Sequence, residues 1–435
     1  MQNLDRRDFL KKSAATVATA AFYHGATKAG PNDVVRVGVI GVRGRGNEHI
    51  KSFENLPNAE VVAACDIDAM VLNIQTGLLN ATSKRKTKVY KDLRELIDDK
   101  DIDVVSIATP NHWHTLAACW AMEAGKDVYV EKPCSHNIFE GRRLVDISRK
   151  TDKLCQHGTQ NRSSAGVMAA VQFMREGGIG KVHTARGLCY KWRPSIGTFA
   201  DESVPKGVDY NLWLGPAAER PFNKNRFHYN WHWHWDYGNG DIGNQGVHQM
   251  DVARWGLGKD TLPIKVSSTG GRFGYEDQGE TPNTQVATFD YGDSILTFEV
   301  RGLPTHDEKG VKVGNIFYGA DGYLVLDGGS WQAFHGVEDK PGETNETYMK
   351  KHPQPRGGSP WGNFIDAVVS RKRENLNAEI LEGHLSSALG HMANTAYRLG
   401  RTLEFDPKKE MYINDEEANR QLSREYRSPF TLPNV

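Results

Sequence analysis

Between Val34 and His157 short, continuous apolar runs alternate with amphipathic stretches of helical period, and this alternation limits the fold more than any other feature of the chain. Val34–Ile40, Ala59–Cys65, Val104–Ala108, Asp127–Val130 and Leu154–His157 read as strands. Helices are expected over Glu48–Phe53, Ala69–Leu79, Asp92–Asp98, Trp113–Ala124 and Ile138–Thr151. Strands apolar on both sides must be covered on both faces, and a helix between each pair supplies the crossover that parallel neighbours require. The pattern predicts a doubly wound α/β domain over residues 34–157.

The first turn of that domain has the chemistry of a phosphate site. Gly41 and Gly46 fill the tight-turn and helix-packing positions of a dinucleotide loop, but Arg43 stands where a middle glycine would let backbone approach a pyrophosphate, and Gly44 follows it. Asp66 lies twenty residues beyond Gly46 at the end of the second strand, where a carboxylate accepts both ribose hydroxyls and repels a 2′-phosphate. NAD is therefore expected over NADP, although Arg43 and Arg45 keep NADP open. Glu131-Lys132-Pro133 then closes the domain and puts a lysine where the ring of a hydride acceptor would lie.

The chain has 435 residues, enough for two domains with sizeable cores. Lysine plus arginine and aspartate plus glutamate balance at 54 each, which leaves no electrostatic footprint for nucleic acid or an anionic membrane and points to a small-molecule partner. Five cysteines without a CxxC pair support neither a disulfide framework nor a zinc site. Residues 1–30 read as a targeting segment: Asp5-Arg6-Arg7-Asp8-Phe9-Leu10-Lys11 resembles the twin-arginine export signal, and Ala14–Phe22 is too short to span a bilayer. Export of a folded enzyme to the periplasm is the expectation.

Residues 158–435 have a different texture. Val182–Tyr190, Lys265–Gly270, Gln285–Phe289, Ser294–Val300, Gly314–Gly319 and Tyr323–Asp327 read as strands, with helices at Gly166–Glu176, Val247–Trp255, Trp361–Ser370 and Leu381–Leu399. A mostly antiparallel sheet with helices on one face is expected, forming the wall opposite the nicotinamide. Pro341–Gly358 reads as loop.

Val37–Gly46, Thr109-Pro110-Asn111 with His114, Gly125-Lys126-Asp127-Val128, Glu131-Lys132-Pro133 and Gly240 through Asp251 together resemble the glucose-fructose oxidoreductase, inositol dehydrogenase and rhizopine catabolism (Gfo/Idh/MocA) family. The resemblance implies a Rossmann domain followed by an α/β domain with a large open sheet, bound NAD or NADP, hydride exchange with a sugar or polyol, and homo-oligomers formed through the open sheet. It carries Thr109, Pro110, Asn111, His114 and Glu131 over as cofactor contacts, and Lys132 and His248 as catalytic residues. The family's aspartate four residues before the histidine is Asn244 here, which can orient substrate but cannot act as a base. His248 would then take the carbinol proton while Lys132 steadies the same oxygen. Asp251 matches a further family position, one helical turn after His248.

Two segments stay open. Read as a strand, Trp231-His232-Trp233-His234-Trp235-Asp236 puts Trp231, Trp233 and Trp235 on one face as a platform for sugar rings and both histidines on the other, in reach of a metal; an aromatic stripe in the interdomain core explains it equally well. Gln160-Asn161-Arg162 follows the last strand of the first domain, where polar substrate contacts are expected, or is a solvated loop. The function expected is an NAD-dependent oxidoreductase acting on a sugar, polyol or glycoside hydroxyl. The alternative is a redox-neutral glycosidase or lyase working through a transient keto-sugar.

Overall fold

The computed structural model describes residues 34–82, 86–354 and 358–434. The arginine pair at positions 6 and 7 lies outside the described residues. Six strands form the first sheet: β1 (Val35–Ile40), β2 (Ala59–Cys65), β3 (Lys88–Tyr90), β4 (Val104–Ile107), β5 (Asp127–Val130) and β6 (Cys155–His157). Their order is β3-β2-β1-β4-β5-β6 with every pairing parallel. That is the order of a Rossmann fold, and it reverses direction between β1 and β4, where the carboxyl ends of the strands open a crevice for ligand. Val37, Val39, Val104 and Val105 are fully buried, as strands covered on both faces require.

A ten-stranded sheet follows, built from β7 (Val182–Cys189), β8 (Lys265–Gly271), β9 (Thr284–Asp290), β10 (Ile295–Arg301), β11 (Val313–Gly319), β12 (Gly322–Asp327), β13 (Ser330–His335), β14 (Lys340–Thr344), β15 (Leu403–Asp406) and β16 (Met411–Tyr412). The β7–β10 pair is parallel and the remaining pairings are antiparallel. Along β9 and β10 burial alternates residue by residue, so one face is packed and the other is not. Helices Ala165–Arg175, Gly246–Gly256 and Ile380–Leu399 supply the packing, with Met250, Leu389 and Met392 meeting Phe289, Phe298 and Phe317 in one core.

Two departures from the sequence pattern concern the end of the chain. Pro341–Gly358 contains β14 and the helix Asn345–Lys351, which Thr344 starts with a capping box, so the segment is not simply loop. Helix Pro360–Ser370 belongs to the first sheet's core rather than the second's: Phe364, Ile365 and Val368 pack with Val37, Phe53 and Tyr129. The chain thus returns to cover the nucleotide sheet after eight strands of the second sheet and before its last two.

Candidate active site

The phosphate turn is shaped by two close approaches. Gly41 has φ 79° and Gly44 φ 48°, both in the left-handed region, and Gly44 caps the helix Arg45–Glu54. A Cβ on Gly46 would lie 1.7 Å from the Gly41 carbonyl oxygen, so no other residue fits there. Gly46 itself sits behind the turn, whereas Gly41, Arg43, Gly44 and Arg45 line a cleft of about 910 Å³. The helix N-terminus opens its amides and positive dipole end toward that cleft, a setting suited to a pyrophosphate. Asp66 borders it at the end of β2, accepting the Val42 amide at 2.9 Å and the Asp68 amide at 3.0 Å. Burial pushes its carboxyl up from the ordinary aspartate value.

Thr109, Pro110 and Asn111 line the facing side, where Pro110 starts the helix Asn111–Glu123. His114, buried one turn into that helix, lies 2.7 Å from the Thr109 carbonyl oxygen through Nε2 and 2.6 Å from that of Pro133 through Nδ1. It ties the Thr109 turn to the tripeptide that carries Lys132. Glu131 points inward, accepting from Arg45 at 2.6 Å and from the Lys132 amide at 3.1 Å, with His49 Nε2 at 3.0 Å. Burial opposes its ionisation, but the His49 hydrogen bond and the Arg45 charge hold its carboxyl well below the usual range.

Lys132 projects into the cleft and donates to Asn244 twice, to the side-chain oxygen at 2.7 Å and to the backbone oxygen at 3.0 Å. Burial lowers its ammonium to about 8. His248 faces the same space from the helix Gly246–Gly256, with its Nδ1 buried and unpartnered among the described residues. Burial and then the Lys132 charge lower its imidazole to about 3. Burial thus favours the neutral imidazole of His248 and brings the Lys132 ammonium close to neutral pH.

Gln160 lines the cleft, its amide 3.3 Å from Glu131. Asn161 and Arg162 do not line it. Arg162 is instead locked in the core, donating to both oxygens of Asp251 at 2.9 and 3.0 Å and to Glu382 at 3.0 Å, and Asp251 also accepts from Ser386 at 2.6 Å. Asp251 therefore anchors the helix that carries His248 and does not face the cleft. Arg162 and Asp251 form an ion pair because each is buried and neither tolerates burial alone.

The tryptophan segment is not a strand. Asn230–Trp233 is a 3-10 turn, and a Cβ on Gly238 would come within 2.6 Å of the His232 carbonyl oxygen, so the chain doubles back on itself there. Its period of two is lost and the three rings go to three places. Trp231 borders the cleft and stacks on His232 with centroids 3.6 Å apart. Trp233 packs under Arg193 at 5.2 Å and Trp235 under Arg398 at 5.4 Å, both outside the cleft lining. His232 and His234 turn a ring nitrogen toward backbone carbonyls, and no metal-binding cluster exists among the described residues.

Several cleft residues carried no sequence signal. Lys191, Phe227, His228 and Tyr229 come from the irregular stretch between β7 and the His248 helix, where no periodicity marks a face. Gln245 could have been found, since it lies between Asn244 and His248. The same stretch closes over the end of β2: Asp209 donates its amide to Ile67 at 2.9 Å, Gly207 accepts from Ala69 at 3.0 Å, and His228, at φ 62°, reaches Asp68 at 3.2 Å.

A Rossmann crevice with a close-packed phosphate turn, a strand-end carboxylate for ribose and a buried lysine beside a neutral histidine defines a nicotinamide-nucleotide oxidoreductase. Residues 35–159 match the family model described as the oxidoreductase family's NAD-binding Rossmann fold, and residues 179–299 and 319–432 match that of its C-terminal alpha/beta domain. The chain belongs to the Gfo/Idh/MocA oxidoreductase family, and NAD is its cofactor.

Relatives include glycosyl hydrolase family 109 proteins of Shewanella baltica, 32% identical over 206 residues, covering 42% of this chain and 45% of the relative, and of Shewanella pealeana, 31% identical over 202 residues, covering 41% and 44%. The chain spans less than half the length of these curated relatives. The fold is shared with the WlbA dehydrogenase from Bordetella pertussis, solved with NADH and UDP-GlcNAcA (TM-score 0.64, 18% identity, 86% of this chain and 99% of that one). It is shared too with the aldose-aldose oxidoreductase from Caulobacter crescentus, solved with glycerol (TM-score 0.62, 17% identity, 86% and 100%).

Proposed function

We propose that this enzyme exchanges hydride between a tightly held NAD and a carbinol of a sugar, polyol or glycoside. The observation that carries the reading is the convergence of Lys132, Asn244 and His248 on one wall of the nucleotide cleft. NAD, when bound, supplies the hydride acceptor. Arg43, Arg45 and the Gly44 turn would hold its phosphates, Asp66 its ribose, and Thr109, Pro110, Asn111 and His114 its facing edge. The carbinol oxygen sits against Lys132 and His248. As the carbon gives up hydride, Lys132 in its neutral form takes the hydroxyl proton and leaves a ketone, while His248 keeps a hydrogen bond to the same oxygen and Asn244 releases and re-engages the lysine. Gln160 and Trp231 border the space left for the rest of the substrate. The clasp of residues 207–209 and His228 over the end of β2 supports a resident cofactor rather than one that leaves at each turnover.

A second reading is favoured by one observation, the match to proteins named as glycosyl hydrolases. In it the carbinol is oxidised, the ketone acidifies the neighbouring C–H, an aglycone is eliminated, and the ketone is reduced again. Incubation of the purified enzyme with a sugar and glycoside panel decides. Net oxidation gives stoichiometric reduced nucleotide absorbance and needs an acceptor to turn over. Aglycone release with solvent deuterium beside the oxidised carbon, and no acceptor, would replace the first reading by the second.

Export is proposed on the Arg6-Arg7 resemblance alone. Arg6→Lys with Arg7→Lys should leave active protein in the cytoplasm; normal delivery of the double variant would remove the proposal. Homo-oligomerisation through the uncovered face of the second sheet is proposed on the exposure of Val286 and Ile295 there, and a monomer by light scattering would end it.

A further inference from the structure

The substrate end of the cleft is unbalanced in charge. Two lysines line it, Lys132 and Lys191, and both carboxylates that line the cleft are engaged elsewhere. Asp66 is held by the amides of Val42 and Asp68 at the ribose end, and Glu131 by Arg45 and His49. Asp241, the next acid to act on Lys132, is bound by Arg193 at 2.6 Å. Where a carboxylate would neutralise Lys132, the neutral amide of Asn244 stands at 2.7 Å. Lys191 follows β7 directly after the buried Tyr190 and is itself exposed. Among the described residues it makes no ion pair and no side-chain hydrogen bond. After burial, the charges of Glu131, which raises the Lys132 ammonium, and Arg45, which lowers it, act on it most, and Lys191 adds a smaller lowering. The ionisable groups beside them, His232 and His248, can only add positive charge.

We propose that Lys191 selects a carbohydrate bearing an anionic group, a carboxylate or a sulfate ester, and is the specificity-determining residue of this cleft. The inference rests on the reading of the cleft as a carbohydrate site. A neutral sugar leaves the ammonium of Lys191 without a counter-ion, and leaves its charge acting on Lys132 against the opposing charges of Glu131 and Asp241. An anionic substituent removes both costs, and in a cleft partly emptied of water by the substrate the attraction is stronger than at an open surface. The same anion moderates the lowering of Lys132, so the pH at which activity rises should move upward for anionic substrates relative to neutral ones.

The test uses the full-length protein with its retained NAD and reads binding by quenching of intrinsic tryptophan fluorescence, since Trp231 borders the site. Methyl glucuronide, a glucose sulfate ester and methyl glucoside are titrated at low and high salt. The anionic ligands should bind about tenfold tighter than the neutral one, and the advantage should shrink with salt. Lys191→Gln should collapse the ratio of anionic to neutral affinity toward one, and Lys191→Arg should keep most of it. Preference for the carboxylate alone or the sulfate ester alone identifies which anion the site takes. Equal affinity of charged and neutral sugars for the unsubstituted enzyme, or a Lys191→Gln variant with an unchanged ratio, overturns the inference and leaves the proposed function standing. Binding of none of the sugars overturns the carbohydrate reading and this inference with it.

Discussion

On the nucleotide side of the cleft each contact hangs from the carboxyl end of a parallel strand or the first turn of the helix that follows it, whereas the substrate side is built largely from an irregular stretch, Lys191 to Tyr237, that crosses from one sheet to the other. The first wall is fixed by backbone. Gly41 and Gly46 touch, and Glu131 is held by four partners. The second is fixed by side chains packing on one another, Trp213, Phe222, Phe227 and Trp231 forming a small core of their own. Backbone geometry of that kind serves a cofactor that does not vary. A side-chain-built wall can change its lining without disturbing either sheet, which suits the part of the site that chooses the substrate.

Substitutions should sort by wall. The largest effect is expected for Lys132→Met, which keeps much of the side-chain volume but removes the proton-carrying group. Hydride transfer in a single turnover should fall by about three orders of magnitude with NAD still bound, and comparable rates would show that the lysine is not in the reaction. Next comes pH. With Lys132 at about 8 and active when neutral, oxidation should rise with pH toward 8 and level above it. Between pH 6 and pH 8 the neutral fraction grows about fiftyfold. If Lys132 instead acts only as the protonated donor the slope reverses, so a falling profile returns the base role to His248.

Asp66→Ala should weaken NAD about tenfold or more while affecting NADP less, because two charge-assisted hydrogen bonds to ribose are lost and the repulsion of a 2′-phosphate goes with them. An unchanged preference in direct binding would make Asp66 only a brace for the Val42 and Asp68 amides. The smallest effect is expected for His228→Ala, which removes one contact of the clasp at Asp68. Release of NAD into a trap of excess labelled nucleotide should quicken by a few fold, as one hydrogen bond from a partly exposed imidazole is worth about 1 kcal/mol. If release is unaltered, the backbone bonds of Gly207 and Asp209 hold the clasp alone.

Legibility in the sequence follows the same division. The phosphate turn, Asp66 and the tripeptide at Lys132 could be placed from spacing because a βα unit fixes where each strand end points, whereas the Thr109 turn is placed by the family resemblance. Arg162 could not: it follows a strand end as a substrate residue would, and only the carboxylates of buried Asp251 and half-buried Glu382 beside it draw it inward. The tryptophan repeat invited a period of two, yet alternation has meaning only where a neighbouring strand holds the segment extended, and Asn230–Trp233 curls into a turn. Likewise Lys191 has nothing in its sequence surroundings that marks it. It becomes informative once the described residues of the cleft are seen to offer no free carboxylate facing it.

By itself the sequence determined the doubly wound sheet, the second and mostly antiparallel sheet, and the choice of a nicotinamide nucleotide, since each depends on short-range periodicity or on residues tied to a strand end; Lys132 and His248 are matched as a pair only through the family resemblance. Tertiary structure alone decided the protonation of that pair and the lining of the substrate wall. Acidity is set by how much water and which charges remain around a group after folding. Burial brings Lys132 down to about 8 and, with the lysine's charge, His248 to about 3, and it sends two of the three tryptophans away from the substrate. Those are consequences of which distant segments meet, and no local pattern in the chain records them.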